Sequence, residues 1–527
     1  MSDQRANTAL WIGVALSIGI LIGSLLDYQE NGLGFLPVNQ KENKIRRLIN
    51  YIQYDYVDSV NTDSLLDDAI NHLLKNLDPH SVYITKNDLQ DVRNTMNGSF
   101  KGIGIQFQLI RDSVMVLQLI KDGPAEKAGL LAGDRLLTVD KDTLSGKFLN
   151  SNQVKALLKG NDEGNIQVSV YRKQQDSILK FTIKRGDVKL TSIPVYYMIN
   201  NQIGFIKIDR FARTTYTEFK KALDDLLQQG MQTLVLDLRG NGGGFLDTAN
   251  KIVDEFLPDG KRIVFTKNKS GKITNSYATA TGDFETGKLY VLIDEESASA
   301  SEIVAGALQD NDRATIVGRR SFGKGLVQQE MDLGDGSAVR LTTARYYTPT
   351  GRSIQKPYDH HGNLAYFKDA YHRIERGELL YKDSMPINDS LKFTTPKGKI
   401  VYGGGGIIPD IFVPVDTTMY VSSYHLTNIN GFVFDYIDAQ RKQYSAMNWT
   451  QFKYNFNTDK MLRAFQKITP IPSGMKERTL LKNYLKALAA RELFGDGGFF
   501  KIFDKNDIML QKVVALEANT IPQTQSR

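Results

Sequence analysis

Apolar positions along the chain change period repeatedly, and each change marks an element or a boundary. Ala9 to Leu26 carries no charge, and as a helix this run would reach about 27 Å, almost the depth of a bilayer's hydrocarbon core. The pattern predicts a transmembrane anchor over 9–26. Arg5 precedes it while Asp27 and Glu30 follow, a bias that puts residues 1–8 in the cytoplasm and the remainder outside it. A cleaved signal peptide is the rival reading; the length of the run and the lack of an A-x-A-like site after Leu26 favour the anchor. Residues 36–98 then read as a helical domain. Ile45, Leu48, Ile49 and Ile52 share one helical face, Leu65, Leu66, Ile70, Leu73 and Leu74 another, and Asp78-Pro79 interrupts the pattern. His80, beside that turn, reads as a local hydrogen-bonding residue.

Over 99–186 the period falls to two. Ile103, Ile105, Phe107 and Leu109 alternate with Gly104, Gln106 and Gln108, a half-buried strand that follows Gly102. Pro124 opens a short helix that Gly129 closes, and Gly133-Asp134 turns into a strand from Leu136 to Val139. A second helix starts near Asn150 or Ser151, carries Val154, Leu157 and Leu158 on one face, and ends at Gly160. In this order the segment resembles a PDZ domain. Backbone N–H groups at Gly102, Ile103, Gly104 and Ile105 would hold a terminal carboxylate, with Val154 and Leu158 facing the bound tail as it adds a strand beside Ile103 to Leu109.

Residues 187–416 alternate strand and helix. Ile203–Ile208, Thr233–Leu238, Leu289–Ile293 and Ala314–Val317 read as strands, interleaved with helices over 215–229, 247–257 and from Ser297 to Gln309. A hairpin, Leu326–Asp332 and Ser337–Tyr346, follows around Gly334-Asp335-Gly336. The fold class is therefore multi-domain α/β: a helical N-terminal segment, a β-rich domain with two helices, an α/β core with a β appendage, and helices over 417–527. That last region reads as a cap or as an oligomerisation or adaptor element, and the pattern leaves both open.

Composition removes several chemistries. The 527 residues include no cysteine, which excludes disulfides, thiolate catalysis and cysteine-ligated metals. The net charge of +7 is spread without a dense basic run, so no nucleic-acid surface is expected. All six histidines lie outside the segment from residue 187 to 350, which disfavours a histidine base there.

Two chemistries compete for Lys324. Gly318, Gly323 and Lys324 match the spacing of a phosphate-cradling loop, but Gly325 stands where a Mg²⁺-binding hydroxyl belongs, and a strand follows instead of a helix. The alternative pairs Lys324 with Ser299 in the first turn of a helix, where free N–H groups favour developing negative charge. Lowering a lysine pKa from about 10.4 toward 7 costs roughly 4 to 5 kcal/mol, which an apolar setting would have to impose.

Asp294-Glu295-Glu296-Ser297-Ala298-Ser299-Ala300-Ser301-Glu302-Ile303, followed by Ser321-Phe322-Gly323-Lys324-Gly325 and Gln328, resembles the carboxy-terminal processing (tail-specific) serine peptidase family. The resemblance extends to Leu77-Asp78-Pro79-His80-Ser81, Asp237-Leu238-Arg239-Gly240-Asn241-Gly242-Gly243-Gly244, the segment from Tyr347 to Gln355 and that from Gly403 to Asp410. It implies Ser299 as nucleophile, Lys324 as general base and Gln328 as the residue that orients the lysine. The oxyanion donors fall on Ala300 and on Gly243 or its neighbour Gly242. Substrates would be proteins or peptides with a free carboxy-terminal tail, with no metal or nucleotide required. The expected location is the inner membrane, single-pass, with the catalytic part periplasmic. A PDZ scaffold on an inactive protease fold is the other class considered, and the intact Ser299, Lys324 and Gln328 argue against it. Ser297 and Ser301 read as capping hydroxyls, Asp310 as a loop residue beyond the helix, and Arg319 and Arg320 as solvated.

Overall fold

The computed structural model describes residues 40–110, 112–146, 149–160, 164–358, 364–417, 423–471 and 474–520. The anchor expected over 9–26 lies outside them, and among the described residues no helix is long and apolar enough to cross a membrane. The chain divides after Leu73 into two compact units. In the first lie α1 (Gln40–Tyr54) and most of α2 (Thr62–Lys75), and Ile45, Leu48, Leu65 and Leu66 are exposed there.

The second unit starts with β1 (Val82–Ile84) and α3 (Lys86–Asn97), whose N-cap Thr85 accepts from the Asp88 N–H and whose C-cap, Gly98, takes a left-handed φ of 77°. The PDZ segment follows: β2 (Ser99–Gly102), β3 (Ile105–Ile110), β4 (Ser113–Leu119), α4 (Pro124–Ala128), β5 (Arg135–Val139), β6 (Asp142–Thr143), α5 (Ser151–Leu158), β7 (Asn165–Arg172), β8 (Ser177–Lys184) and β9 (Gly186–Lys189). The main sheet runs β3-β4-β5-β7-β8, so β3 is an edge strand. Asn150 caps α5 in a reciprocal box with Gln153. Val114, Val116, Leu136, Val154, Ile166 and Val170 form the domain's core.

In the α/β core, β10 (Val195–Met198), β11 (Ile203–Lys207), α6 (Thr215–Gln228), β12 (Thr233–Asp237), α7 (Leu246–Asp254), β13 (Arg262–Asn268), β14 (Ile273–Tyr277), β15 (Lys288–Ile293), α8 (Ala300–Asp310) and β16 (Thr315–Gly318) are followed by the hairpin β17 (Leu326–Asp332) and β18 (Ala338–Tyr347). Then come α9 (Leu364–Glu375), β19 (Lys392–Thr394), β20 (Ile400–Tyr402) and β21 (Ile411–Phe412). The central sheet has the order β10-β11-β12-β15-β16-β21, parallel except for β10. Every residue of β12 is buried, which is why its sequence, Thr-Leu-Val-Leu-Asp, is nearly continuous in apolar side chains. A second sheet, β1-β18-β13-β14 with β17 on β18, forms the appendage. The strand after Lys324 is the feature that excludes a phosphate-binding helix.

Helices α10 (Ser423–Asp438), α11 (Arg441–Ser445), α12 (Trp449–Asn455), α13 (Thr458–Gln466), α14 (Met475–Phe503) and α15 (Ile508–Thr520) complete the unit. Helices α10 to α14 share a core around Phe452, Phe465, Leu485 and Ala489. Met509, Leu510 and Val513 of α15 close the second face of the central sheet against Phe205, Val235, Leu292 and Val317. The region thus packs as a cap on this chain's own core.

Candidate active site

Three adjacent parallel strands, β12, β15 and β16, deliver three loops to their carboxyl ends, the usual place for a site in an open α/β sheet. The loop after β15 carries Ser299, the loop after β12 carries the glycines, and the loop after β16 carries Lys324.

Ser299 occupies φ 56°, ψ −112°, a strained conformation for a residue with a Cβ, directly before α8. The helix behind it is buried along its whole length, so the strain is held by packing on all sides. As the first helical residue, Ala300 has an N–H with no intrahelical acceptor. Ser297 and Ser301 are not caps: Ser297 Oγ donates to the Leu238 carbonyl at 2.9 Å and Ser301 Oγ to the Asn241 carbonyl at 2.9 Å, tying the serine turn to the glycine loop.

Gly243 is packed against the nucleophile so closely that a Cβ there would lie 2.8 Å from both Ser299 Cβ and the Ala298 carbonyl oxygen. Its φ of 102° also belongs to glycine. The Gly243 N–H donates to Asn241 Oδ1 at 2.8 Å, so in this conformation the amide expected in the oxyanion hole is engaged within its own loop.

Lys324 Nζ donates to Gln328 Oε1 at 3.0 Å. Gln328 Nε2 in turn donates to the His80 carbonyl, and a β-bulge between Val327 and Gln328 turns that side chain toward the lysine. Burial, and then the charge of Arg340, hold the Lys324 ammonium below its ordinary pKa, while Glu302 and Asp78 oppose them. The His80 imidazole is pushed down to about 4 by burial and by Lys324, and its Nε2 lies 2.7 Å from the Tyr366 hydroxyl. Asp78 holds the turn by accepting from the N–H groups of His80 and Ser81 at 2.8 and 2.9 Å.

Two residues without an assigned role in the sequence reading join nucleophile to base. Glu302 is fully buried; one carboxylate oxygen accepts from Ser321 Oγ (2.5 Å) and the Gly323 N–H (2.7 Å), the other from the Lys324 (2.8 Å) and Ser299 (2.9 Å) N–H groups. Burial raises its pKa and these four bonds work against that rise. Its signal was the S-x-x-E spacing from Ser299, a helix-start signature. The buried Tyr346 hydroxyl lies 2.7 Å from the Lys324 carbonyl and 3.1 Å from that of Ser299. No local pattern marks it.

Ser299, Lys324, Gln328, Gly242 and Gly243 all line one cleft of about 840 Å³, with Arg93, Arg213, Arg340, Leu326 and Val327 around them. Gly102, Ile103, Gly104, Ile105 and Leu158 line a separate groove of about 370 Å³ on the PDZ segment, beside Phe100, Lys155 and Lys159. Val154 does not line it; it is fully buried, because its helix face packs on the sheet. Arg319 and Arg320 are not solvated. Arg320 is paired with the buried Glu378 at 2.6 Å and Arg319 with Glu295 at 2.7 Å. Asp310 is buried at the end of α8 and paired with the equally buried Arg352 at 2.7 Å.

An α/β core with a serine at a strained turn, a part-buried lysine and an attached PDZ-like segment defines the class. Family models match accordingly: Peptidase family S41 over residues 202–360, PDZ domain over 101–191, and a family of unknown function (DUF8443) over 422–495. The chain is 37% identical over 331 residues to the carboxy-terminal-processing protease of Bartonella bacilliformis, covering 61% of this chain and 75% of that one. It is 32% identical over 367 residues to the carboxy-terminal processing protease CtpB of Bacillus subtilis, covering 68% and 75%. Among solved structures, the photosystem II D1 C-terminal processing protease aligns at 29% identity with a TM-score of 0.36, covering 60% of this chain and 85% of the other. This chain belongs to the carboxy-terminal processing proteases of peptidase family S41, and is a serine peptidase.

Proposed function

We propose that this peptidase works through a Ser299–Lys324 dyad and selects substrates by a carboxy-terminal tail held on its PDZ segment. The observation that carries the reading is the convergence on one cleft of a strained serine and a lysine whose charged form is disfavoured. Neutral Lys324 takes the proton from Ser299 Oγ as that oxygen attacks the scissile carbonyl, then returns it to the departing amine; water repeats the sequence to release the acyl group. Gln328 orients the amine. The Ala300 N–H and the glycine loop, through Gly242 or a released Gly243 amide, stabilise the oxyanion. Edge strand β3 offers the tail a partner for strand addition, and Leu158 lines the same groove.

Purified Ser299→Ala and Lys324→Ala proteins should each lose cleavage of an unfolded, tailed substrate while melting as the parent does. Turnover by the Ser299→Ala protein would remove the dyad. The uncharged run over 9–26 supports a single-pass anchor with the peptidase on the extracytoplasmic side. Deleting residues 1–30 should move the protein from the membrane to the soluble fraction, and retention at the membrane would refute that arrangement.

A further inference from the structure

The glycine loop is held from its upstream end by Arg239. Its Nε and Nη2 grip Asp237 at 2.8 and 2.7 Å, and its carbonyl accepts from Lys207 Nζ at 3.0 Å. Two residues on, Asn241 carries most of the loop's shape. Its side chain receives the Gly243 N–H and donates to the Ile208 carbonyl at 2.8 Å, while its own carbonyl accepts from the Ala298 N–H at 3.0 Å, one residue before the nucleophile. The remaining grip on Arg239 comes from far along the chain: Nη1 donates to Asp507 Oδ2 at 2.6 Å. Asp507 precedes α15, and its other oxygen, Oδ1, accepts from the N–H groups of Met509 and Leu510 at 2.8 and 3.2 Å. One carboxylate therefore caps a helix with one oxygen and holds the loop's arginine with the other. Helix α15 is itself fixed by Met509, Leu510 and Val513 against the central sheet.

We infer that Asp507, which no matched family segment contains, is a positioning residue for the oxyanion loop, supplied to the peptidase core by its carboxy-terminal helices. Pinned between Asp237 and Asp507, the Arg239 guanidinium has one orientation, and Gly240 to Gly244 start from a fixed point. Releasing one side lets the loop shift relative to Ser299, and even a shift of about 1 Å at a reacting centre lowers turnover without touching the tail groove. The inference rests on the dyad reading above.

The two duties of Asp507 separate by substitution. Asp507→Ser keeps a good cap but cannot reach Arg239; Asp507→Asn keeps cap and shape but loses the charge; Asp507→Ala loses both. On the purified full chain, with an unfolded tailed substrate and at a temperature where each variant stays folded, Asp507→Ser should lower kcat about 10- to 100-fold while KM and the pH midpoint of kcat stay at parent values. Labelling of Ser299 by a fluorophosphonate should slow in parallel. Asp507→Asn should show the same split with a smaller fall. Parent-like kcat in a folded Asp507→Ser protein overturns the inference, as does a fall in kcat confined to Asp507→Ala, which would leave only the cap. Ser299→Ala is measured alongside: cleavage by that protein would instead remove the dyad reading, whatever Asp507 does.

Discussion

Lysine is a poor base at neutral pH because water stabilises its ammonium, so the role proposed for Lys324 depends on what replaces that water. Burial disfavours the charge and the neighbouring Arg340 disfavours it further. Only the neutral amine accepts a proton, so kcat/KM should rise with pH through the apparent pKa of Lys324. His80 sits at about 4 and is already neutral across that range, so it leaves no inflection. Replacing Arg340 by Gln removes a positive neighbour and stabilises the ammonium. The midpoint of the pH–rate profile should then move to higher pH, and an unmoved midpoint would mean that Arg340 does not act on the base. Glu302→Gln presents an amide N–H₂ where two or more N–H donors converge, and should cost about 1–3 kcal/mol of stability by thermal melting, together with activity. At this scale, the motif marked Ser299, Lys324 and Gln328, which the fold brings to one cleft, while Glu302, which its S-x-x-E spacing could have marked, went unread. Tyr346 and Asp310 were not legible, because their partners lie on other elements of the fold.

Elements legible in the chain were those whose two faces differ or whose burial is complete. Of the PDZ segment, β3, β5 and both helices, and in the core the four parallel strands β11, β12, β15 and β16, fall within a few residues of their predicted positions, while β4, β7 and β8 went unread. The hairpin β13–β14 went unread because Ile273–Tyr277 is exposed nearly throughout and shows no alternation. The helical region over 417–527 breaks after Asp438, whose buried carboxylate accepts from Arg441 Nε at 3.2 Å and lies 3.7 Å from Arg135 of the PDZ sheet. Close packing of the glycine loop on the serine turn carries its own test. Gly243→Ala places a methyl 2.8 Å from Ser299 Cβ at a φ that alanine disfavours, so the folded protein should lose most of its kcat. Parent-like turnover would show that the two turns move apart freely. In the cap, Asp504 accepts from the Tyr197 hydroxyl, and burial pushes its pKa up to about 7. Between about 4 and 7 the folded state keeps a proton that the unfolded chain has released, so this group's contribution to stability falls as pH rises. Asp504→Asn should therefore gain melting temperature over the parent more at pH 8 than at pH 5, and a pH-independent difference would refute the assignment.

Across the whole peptidase unit, the PDZ groove and the cleft at Ser299 are separate spaces with separate linings, so in the proposed mechanism tail binding and attack at Ser299 would be distinct events joined by the substrate chain. A substrate held by its terminus raises its own local concentration at the cleft, and losing that hold acts mainly on KM. The carboxylate is the part of a tail that every free terminus shares. Under the proposed reading, the groove would meet it with the backbone of Gly102 to Ile105, where Gly104 takes a φ of 78°, and with Lys155 and Lys159, which also line it. Lys159 is already paired with Asp91 of α3 at 2.7 Å, so an incoming carboxylate competes with that surface pair, which itself is worth little. Amidating the terminus removes the charge and keeps the shape and the apolar side chains. A charge-assisted hydrogen bond of about 1.5–3 kcal/mol then disappears, and kcat/KM for matched peptides should fall about tenfold or more, carried by KM with kcat nearly constant. Lys159→Ala should leave the discrimination in place if the backbone carries it and shrink it if the lysine does. Equal kcat/KM for free and amidated peptides would refute recognition of the carboxylate in this groove while leaving the dyad untouched, because the peptide's scissile bond still reaches Ser299.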